Sequence, residues 1–395
     1  MSARLTAMSP SVRSSQDRPE PGTAPLPVLF DATSLLDTPT GVGVFAREVL
    51  GGLAARDDVA MTAFAVSWRG RDRLARAVPA GIDVRSRPIP ARVARPLWRH
   101  GTWPSARWMA GPARVVHGPN HVVPPGGGAT ELVTVHDLTA VHYPEMCTAD
   151  VRQWPALLSR SLDRGAWIHA VSHAVGDELR DRYPNAADRV VVIPNGMRRP
   201  PAEAPASAAA VGRHLAGGDR YVLALGTVEP RKDLPTLVAA FDILAADDPD
   251  LRLVIAGPDG WGAEALTSAR DRAVHRRRIT RLGWVGGDQR LALLRGASVL
   301  AYPSRYEGFG LVPLEALAVG TPVVATKVPA VTEVVADAAL LVDVGDVDGL
   351  AAALAETLDG GQDTARRLVA GQARVEAYDW ETTVDQLAAL YHHIA

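Results

Sequence analysis

Short apolar runs that end in a glycine or a polar pair, each followed by an amphipathic stretch, recur along the chain and restrict it to one class of architecture. In the first half they fall at 27–31, 133–138, 168–175 and 190–197; in the second half they fall at 221–225, 251–257, 279–285 and 297–302. Strands separated by helical stretches pair in parallel, and the pattern occurs twice over. The fold class expected is therefore α/β, with two Rossmann-like parallel-sheet domains. At 395 residues and 47% apolar composition, the chain is long enough for two cores.

Composition places further bounds. A formal net charge of −2 argues against nucleic-acid binding as a global property. The single Cys147 excludes an intramolecular disulfide and a multi-cysteine zinc site, and fits a reducing, cytoplasmic setting. No apolar run reaches the roughly 18 residues of a spanning helix. Residues 1–25, rich in Ser, Pro and Arg, read as a disordered leader. The proline-rich segment 198–205 reads as a boundary, which gives a first domain at 26–198, a linker at 199–216 and a second domain at 217–376.

The stretch from Pro303 to Ala316 carries the most chemistry. A strand-like run ends in a glycine-rich turn, and Pro313 stands where a helix would begin. Gly308 and Gly310 allow close backbone approach, and the first amides of the helix favour an anion. Glu307 lies before that helix and Glu315 within its opening turns, so both carboxylates reach one cleft. The spacing from Glu307 to Glu315 around Gly308-Phe309-Gly310-Leu311, followed by 316–324, resembles the E-x7-E signature of the GT-B glycosyltransferases, particularly the large retaining family 4.

That resemblance implies a nucleotide-diphosphate sugar donor held mainly by the second domain. The apolar run 221–225 ends in Gly226-Thr227-Val228-Glu229-Pro230-Arg231-Lys232, and in the family a lysine and a nearby arginine at this loop neutralise the donor diphosphate. The carried-over positions are Arg231 and Lys232; where some members have an arginine directly after the glycine, this chain has Thr227. The amides of Gly310 and Leu311 would meet the same phosphates, Glu315 the ribose hydroxyls, and the backbone near Trp284 and Val285 the base. Glu307, with Ser304, Phe309 and Gly310 nearby, would fix the sugar hydroxyls. His136, with Asp137 at the end of the 133–138 run, resembles the histidine that contacts the transferred sugar from the opposite wall. The segment 377–395 resembles the family's closing helix, which returns to the first domain.

Some features pull elsewhere. Gly41-Val42-Gly43-Val44-Phe45-Ala46 matches the dinucleotide fingerprint G-x-G-x-x-A, but Ala32 to Thr40 is too long for the tight turn that a nicotinamide site needs. The same glycines resemble the family's loop between donor and acceptor, with Gly43 at the cleft and a helix from Val44 onward. A glycosidase also uses two carboxylates, but has no diphosphate for Arg231 and Lys232 to neutralise. A binding partner that kept the fold without turnover is the non-enzymatic alternative.

No metal is expected. Asp248-Pro249-Asp250 precedes a strand at the wrong sheet edge, and Asp348 reads as a helix cap. The stretch 91–108 interleaves arginines with Trp98, Trp103 and Trp108, suited either to a peripheral contact with an anionic membrane or, the preferred reading, to a helix that docks its tryptophans on the core. Pro96, Gly101 and Pro104 are expected to break a long helix there. The function expected is a retaining hexosyltransferase, with GDP-mannose slightly preferred as donor, acting on a glycan or lipid-linked acceptor in surface polysaccharide or glycoconjugate synthesis. Its reaction would run in the cytoplasm, with the inner membrane face as a second setting.

Overall fold

The computed structural model describes residues 24–36, 41–201 and 207–395. Residues 1–23 of the expected leader lie outside them, as do 37–40 of the segment before the glycine pair. Among the described residues, two parallel sheets form.

The first sheet contains β1 (Leu26–Asp31), β2 (Val59–Phe64), β3 (Asp83–Val84), β4 (Val115–Gly118), β5 (Thr130–Val135), β6 (Trp167–Ala170) and β7 (Val190–Val192) in the order β3-β2-β1-β4-β5-β6-β7. The second contains β8 (Tyr221–Leu225), β9 (Arg252–Ala256), β10 (Ile279–Gly283), β11 (Val299–Tyr302), β12 (Val323–Thr326) and β13 (Leu340–Val342) in the order β10-β9-β8-β11-β12-β13. In each sheet the order reverses direction once, between β1 and β4 and between β8 and β11. Chain crossovers leave in opposite directions at such a point, which opens a crevice at the strands' carboxyl ends.

Both faces of each sheet are buried. In β1, Val28 and Phe30 enter one core while Leu29 enters the other, as a period of two requires. The second sheet is likewise enclosed, with Val254 on one face and Leu253 and Ile255 on the other. Continuous apolar runs rather than alternation follow from this double burial.

The terminal helix Trp380–Ile394 packs against the first-domain helix Gly41–Ala54 and places Leu387, Leu390, Tyr391 and Ile394 in the first core. Each such side chain contributes roughly 1.5–3 kcal/mol by its removal from water. Asp379 caps the helix by accepting from the Thr382 amide at 2.8 Å.

Four local readings change. Within 199–216, read as a linker, Ser207–Ala216 is a helix of the second domain; it packs so tightly on Gly287–Gly296 that a side chain at Gly212 would overlap the Ala292 carbonyl. The helix expected from Val44 begins at Gly41, so Gly43 lies within its first turn. The cap of helix Val347–Asp359 is Asp346, not Asp348; its carboxylate accepts from the Gly349 amide at 2.9 Å. Gly101 and Pro104 separate helix Ala91–His100 from Ala106–Ala110 as expected, but Pro96 lies inside the first of them, which its buried Ala94 and Trp98 anchor on the core.

Candidate functional site

The two switch points face each other, and the second domain's loops supply most of the charge. After β8, Gly226 takes a φ of 137°, which favours glycine, and the loop continues into the tight turn Pro230–Lys232. After β11 the chain runs through Ser304 to Glu307. The two loops are tied by the Arg305 amide, which donates to the Arg231 carbonyl at 2.7 Å, and by Arg305 Nε to Asp233 at 3.0 Å.

This places Glu307 between two cations. Arg231 donates to Glu307 Oε2 at 2.5 Å and to Glu229 at 2.8 Å. Lys232 Nζ donates to Glu307 Oε1 at 2.5 Å and to the Tyr302 hydroxyl at 2.9 Å, and Ser304 Oγ donates to Oε1 at 2.7 Å. Lys232 is one of two lysines in a chain with 42 basic residues. The Lys232 ammonium also lies over the Tyr302 ring, 4.6 Å from its centroid.

The electrostatics follow from that packing. Burial would raise the Glu307 carboxyl, but Arg231 and Lys232 outweigh it and hold its pKa at about 2. Burial pulls Lys232 below its usual value despite Glu307. The Arg231 guanidinium, also buried, is pushed up by Glu307, Glu229 and Asp137. The carboxylates therefore already satisfy both cations expected on the diphosphate. Thr227, Lys232, Tyr302 and Ser304 border a small hollow between the ends of β8 and β11.

The first domain meets this turn at the end of β5. His136 Nε2 donates to the Pro119 carbonyl at 2.8 Å, which fixes the proton on Nε2 and leaves Nδ1 with a lone pair. Burial holds the His136 pKa at about 3, so the ring is neutral. Asp137 accepts from the Thr139 amide at 2.8 Å, and His121 and Arg231 keep it ionised against its burial. Gly308 closes the gap: a Cβ there would lie 1.5 Å from the His136 carbonyl oxygen. Ser172 caps helix His173–Arg182 and donates to the Gly308 carbonyl at 2.8 Å.

The remaining expected positions are placed as follows. Gly310 precedes helix Leu311–Ala318, whose first amides have no preceding turn to accept from them. The Phe309 side chain, expected beside the sugar, is buried edge-on against Tyr378 in the second core, so only its backbone faces the cleft. Glu315 is held by Arg290, with Nε at 2.9 Å from Oε2. Trp284 is 57% exposed after β10, and Val285 packs on the core. The structure thus brings together Thr227, Arg231, Lys232, Ser304, Glu307, His136 and Asp137; Gly43, Trp284, Val285 and Glu315 stand on separate elements around them.

Sequence reading missed Tyr302, Arg290 and the cross-domain contacts of Tyr306 and Glu333. Tyr306 receives the Leu138 amide at 2.9 Å and donates to Glu178 at 2.7 Å, while Glu333 accepts the His173 and Ala174 amides at 2.9 Å. The aromatic beside Glu307 was the only local signal; the other partners lie far away in the chain.

A pH prediction follows from the buried histidines. His136 and His169, at about 3 and about 4, and His117, held well below 6.5 by burial, stay neutral in the folded chain. The unfolded chain takes up protons as pH falls through the ordinary histidine value, while the folded chain does not. Stability is expected to drop by about 1.4 kcal/mol per histidine between pH 7.5 and 5.5. Thermal unfolding across that range measures it, and a flat midpoint would contradict the neutral assignment.

Two opposed parallel-sheet domains with a cation-lined switch point define the GT-B class of glycosyltransferases. Residues 39–198 match the family described as Glycosyltransferase Family 4, and residues 211–374 match Glycosyl transferases group 1. The chain is 32% identical over 287 residues to an O-antigen chain mannosyltransferase B of Escherichia coli, covering 70% of this chain and 74% of that one. It is 38% identical over 180 residues to a phosphatidyl-myo-inositol mannosyltransferase of Mycolicibacterium smegmatis, covering 45% and 46% of the two chains. A sucrose-phosphate synthase from Thermosynechococcus elongatus shares the fold, with a TM-score of 0.73 at 22% identity over 93% of this chain and 98% of that one. The chain belongs to the family 4, group 1 glycosyltransferases.

Proposed function

We propose that this glycosyltransferase moves a hexose, preferably mannose from GDP-mannose, with retention of anomeric configuration, to a glycan or lipid-linked acceptor of a surface polysaccharide or glycoconjugate. The observation that carries the site assignment is the buried Glu307 carboxylate clamped by Arg231, Lys232 and Ser304 opposite His136. Mannose is favoured by the names of the two relatives, and retention by membership of the family.

In this reading the donor diphosphate displaces Glu307 from Arg231 and Lys232. Phosphate oxygens take over the two cations and the amides of Gly310 and Leu311, so charge on the leaving group is stabilised in a dry site. Glu307, released, accepts from hydroxyls of the sugar, and the His136 Nδ1 lone pair accepts from another. Glu315, oriented by Arg290, takes the ribose hydroxyls, and the backbone near Trp284 and Val285 meets the base. The leaving phosphate accepts the acceptor's proton, so no protein base is assigned and no metal is required.

The test is thermal shift against GDP, UDP, dTDP and ADP in EDTA, with NAD as control. We expect GDP to give the largest stabilisation, and Lys232→Ala to reduce it by at least about 10-fold in affinity. Stabilisation by none of the four, or only with a divalent cation, would overturn this site assignment. Retention is checked separately by the anomeric configuration of the product.

A further inference from the structure

We propose that the first domain carries a docking face for an anionic phospholipid bilayer, built from helix Ala91–His100 and the segment through Trp108. Charge is segregated here: between Asp83 and Glu131 the chain has seven arginines, no lysine and no carboxylate side chain, although its overall net charge is −2. Arg85 is neutralised by Asp83 and Arg95 by Asp150; the positive charge left on this segment of a near-neutral protein favours a negative surface.

The helix divides its residues cleanly. Ala94 and Trp98 are buried, and the Trp98 indole donates to the Pro104 carbonyl at 2.9 Å, so this tryptophan serves the core as expected. The other two do not. Trp103 is 60% and Trp108 37% exposed, their rings 5.5 Å apart, with the Arg87 guanidinium 4.5 Å over the Trp108 ring. Val93 and Leu97, one helical turn apart, are 49% and 41% exposed.

Arg92, Arg99 and Arg107 are exposed on the same segment and have no ion-pair partner among the described residues. Arg95 is excluded from the face, because it pairs with Asp150. Tryptophan rings settle at the headgroup level of a bilayer, and guanidinium groups pair with lipid phosphates. A second copy of the chain is a poorer occupant, since a two-fold contact would oppose arginines to arginines.

The core side of the helix connects to the cleft. Helix Ala91–His100 packs on helix Trp154–Asp163, whose Trp154 stacks on His121 at 4.5 Å; His121 in turn contacts the Asp137 main chain. A docked protein would therefore hold its acceptor side near the membrane, where a lipid-linked acceptor is presented. That last link rests on the transferase reading; the docking itself rests on the surface alone.

The experiment is sedimentation of the full chain with phosphatidylcholine vesicles, with and without 30% phosphatidylglycerol, at low and high salt. The variants are Arg92→Gln/Arg99→Gln/Arg107→Gln and Trp103→Ser/Trp108→Ser, each also measured for stabilisation by nucleoside diphosphate to show that the donor domain is intact. Each arginine near an anionic surface is worth about fivefold in partitioning, so the triple variant should lose on the order of 100-fold. Binding should need the anionic lipid, weaken with salt and fall in the tryptophan variant. No binding to anionic vesicles, equal binding to neutral ones, or binding insensitive to both variants would overturn the proposal. So would a dimer in solution that the tryptophan variant separates, which would assign the face to a second copy. Because the vesicle assay contains no sugar donor, its failure leaves the transferase reading standing. Failure of the nucleotide shift alone would leave the docking face standing.

Discussion

Glu307→Gln is expected to slow sugar transfer by at least about 100-fold while nucleoside diphosphate binding stays as tight or becomes tighter. This carboxylate neutralises two buried cations, and on the proposed reading a diphosphate must compete with it for both. Glutamine keeps the shape and removes the competitor. The same change leaves Arg231 and Lys232 without their shared counter-charge, a loss that costs on the order of 3–5 kcal/mol when a buried pair is broken. The variant should therefore unfold at a lower temperature than the wild type without ligand, yet gain more on adding GDP. Calorimetric affinity and thermal shift on both proteins decide it: weaker nucleotide binding in the variant would mean that Glu307 does not compete with the diphosphate.

The pH dependence of the same group has a definite sign. With a folded pKa of about 2 against an ordinary 4.5, the unfolded chain takes up the Glu307 proton first as pH falls. This stabilisation, on the order of 3 kcal/mol, is complete above pH 4.5 and is lost between 4.5 and 2. The histidine effect begins near pH 6.5 and continues down to the folded values of about 4 and about 3, so the range from pH 7.5 to 5.5 reads the histidines alone and the range below 4.5 reads both.

Gly308→Ala should have the second large effect, for a steric reason. The added methyl would sit 1.5 Å from the His136 carbonyl oxygen and 2.6 Å from its carbon, backbone against backbone, with no flexible side chain to move aside. The two domains would have to part at the site. The Ser172 to Gly308 hydrogen bond and the Tyr306 contacts to Leu138 and Glu178 would weaken with them. We expect at least about 100-fold loss of transfer, since misplacement by 1 Å already costs that much. Nucleoside diphosphate binding, which the proposed reading assigns to the second domain, should persist. Transfer at wild-type rates with Gly308→Ala would show that the closed contact is not the working one.

Much of this molecule was legible along the chain, for identifiable reasons. β-strands buried on both faces must be apolar throughout, so the runs at 221–225 and 297–302 announced β8 and β11 and the loops that follow them. Glu307, Arg231 and Lys232 could be named through the resemblance to a known family, carried by the loops that follow two strands' carboxyl ends. The boundary at 199–216 was misread for an equally physical reason: prolines and alanines give little periodicity, and the helix Ser207–Ala216 exists because it packs on Gly287–Gly296.

The sequence by itself determined the class of fold, the order of the strands' chemistry and the residue types at the cleft, because local hydrophobic period and glycine placement act over a few residues. Only the tertiary structure decided which charges meet. Arg231 and Glu307 are 76 residues apart in the chain, and Glu333 reaches amides 160 and 159 residues away. No local pattern encodes that Glu307 pairs with both cations, that Phe309 turns into the core, or that Trp98 is buried while Trp103 and Trp108 face water. Those outcomes depend on how two independently patterned sheets pack, and packing is settled by shape and charge across the whole chain.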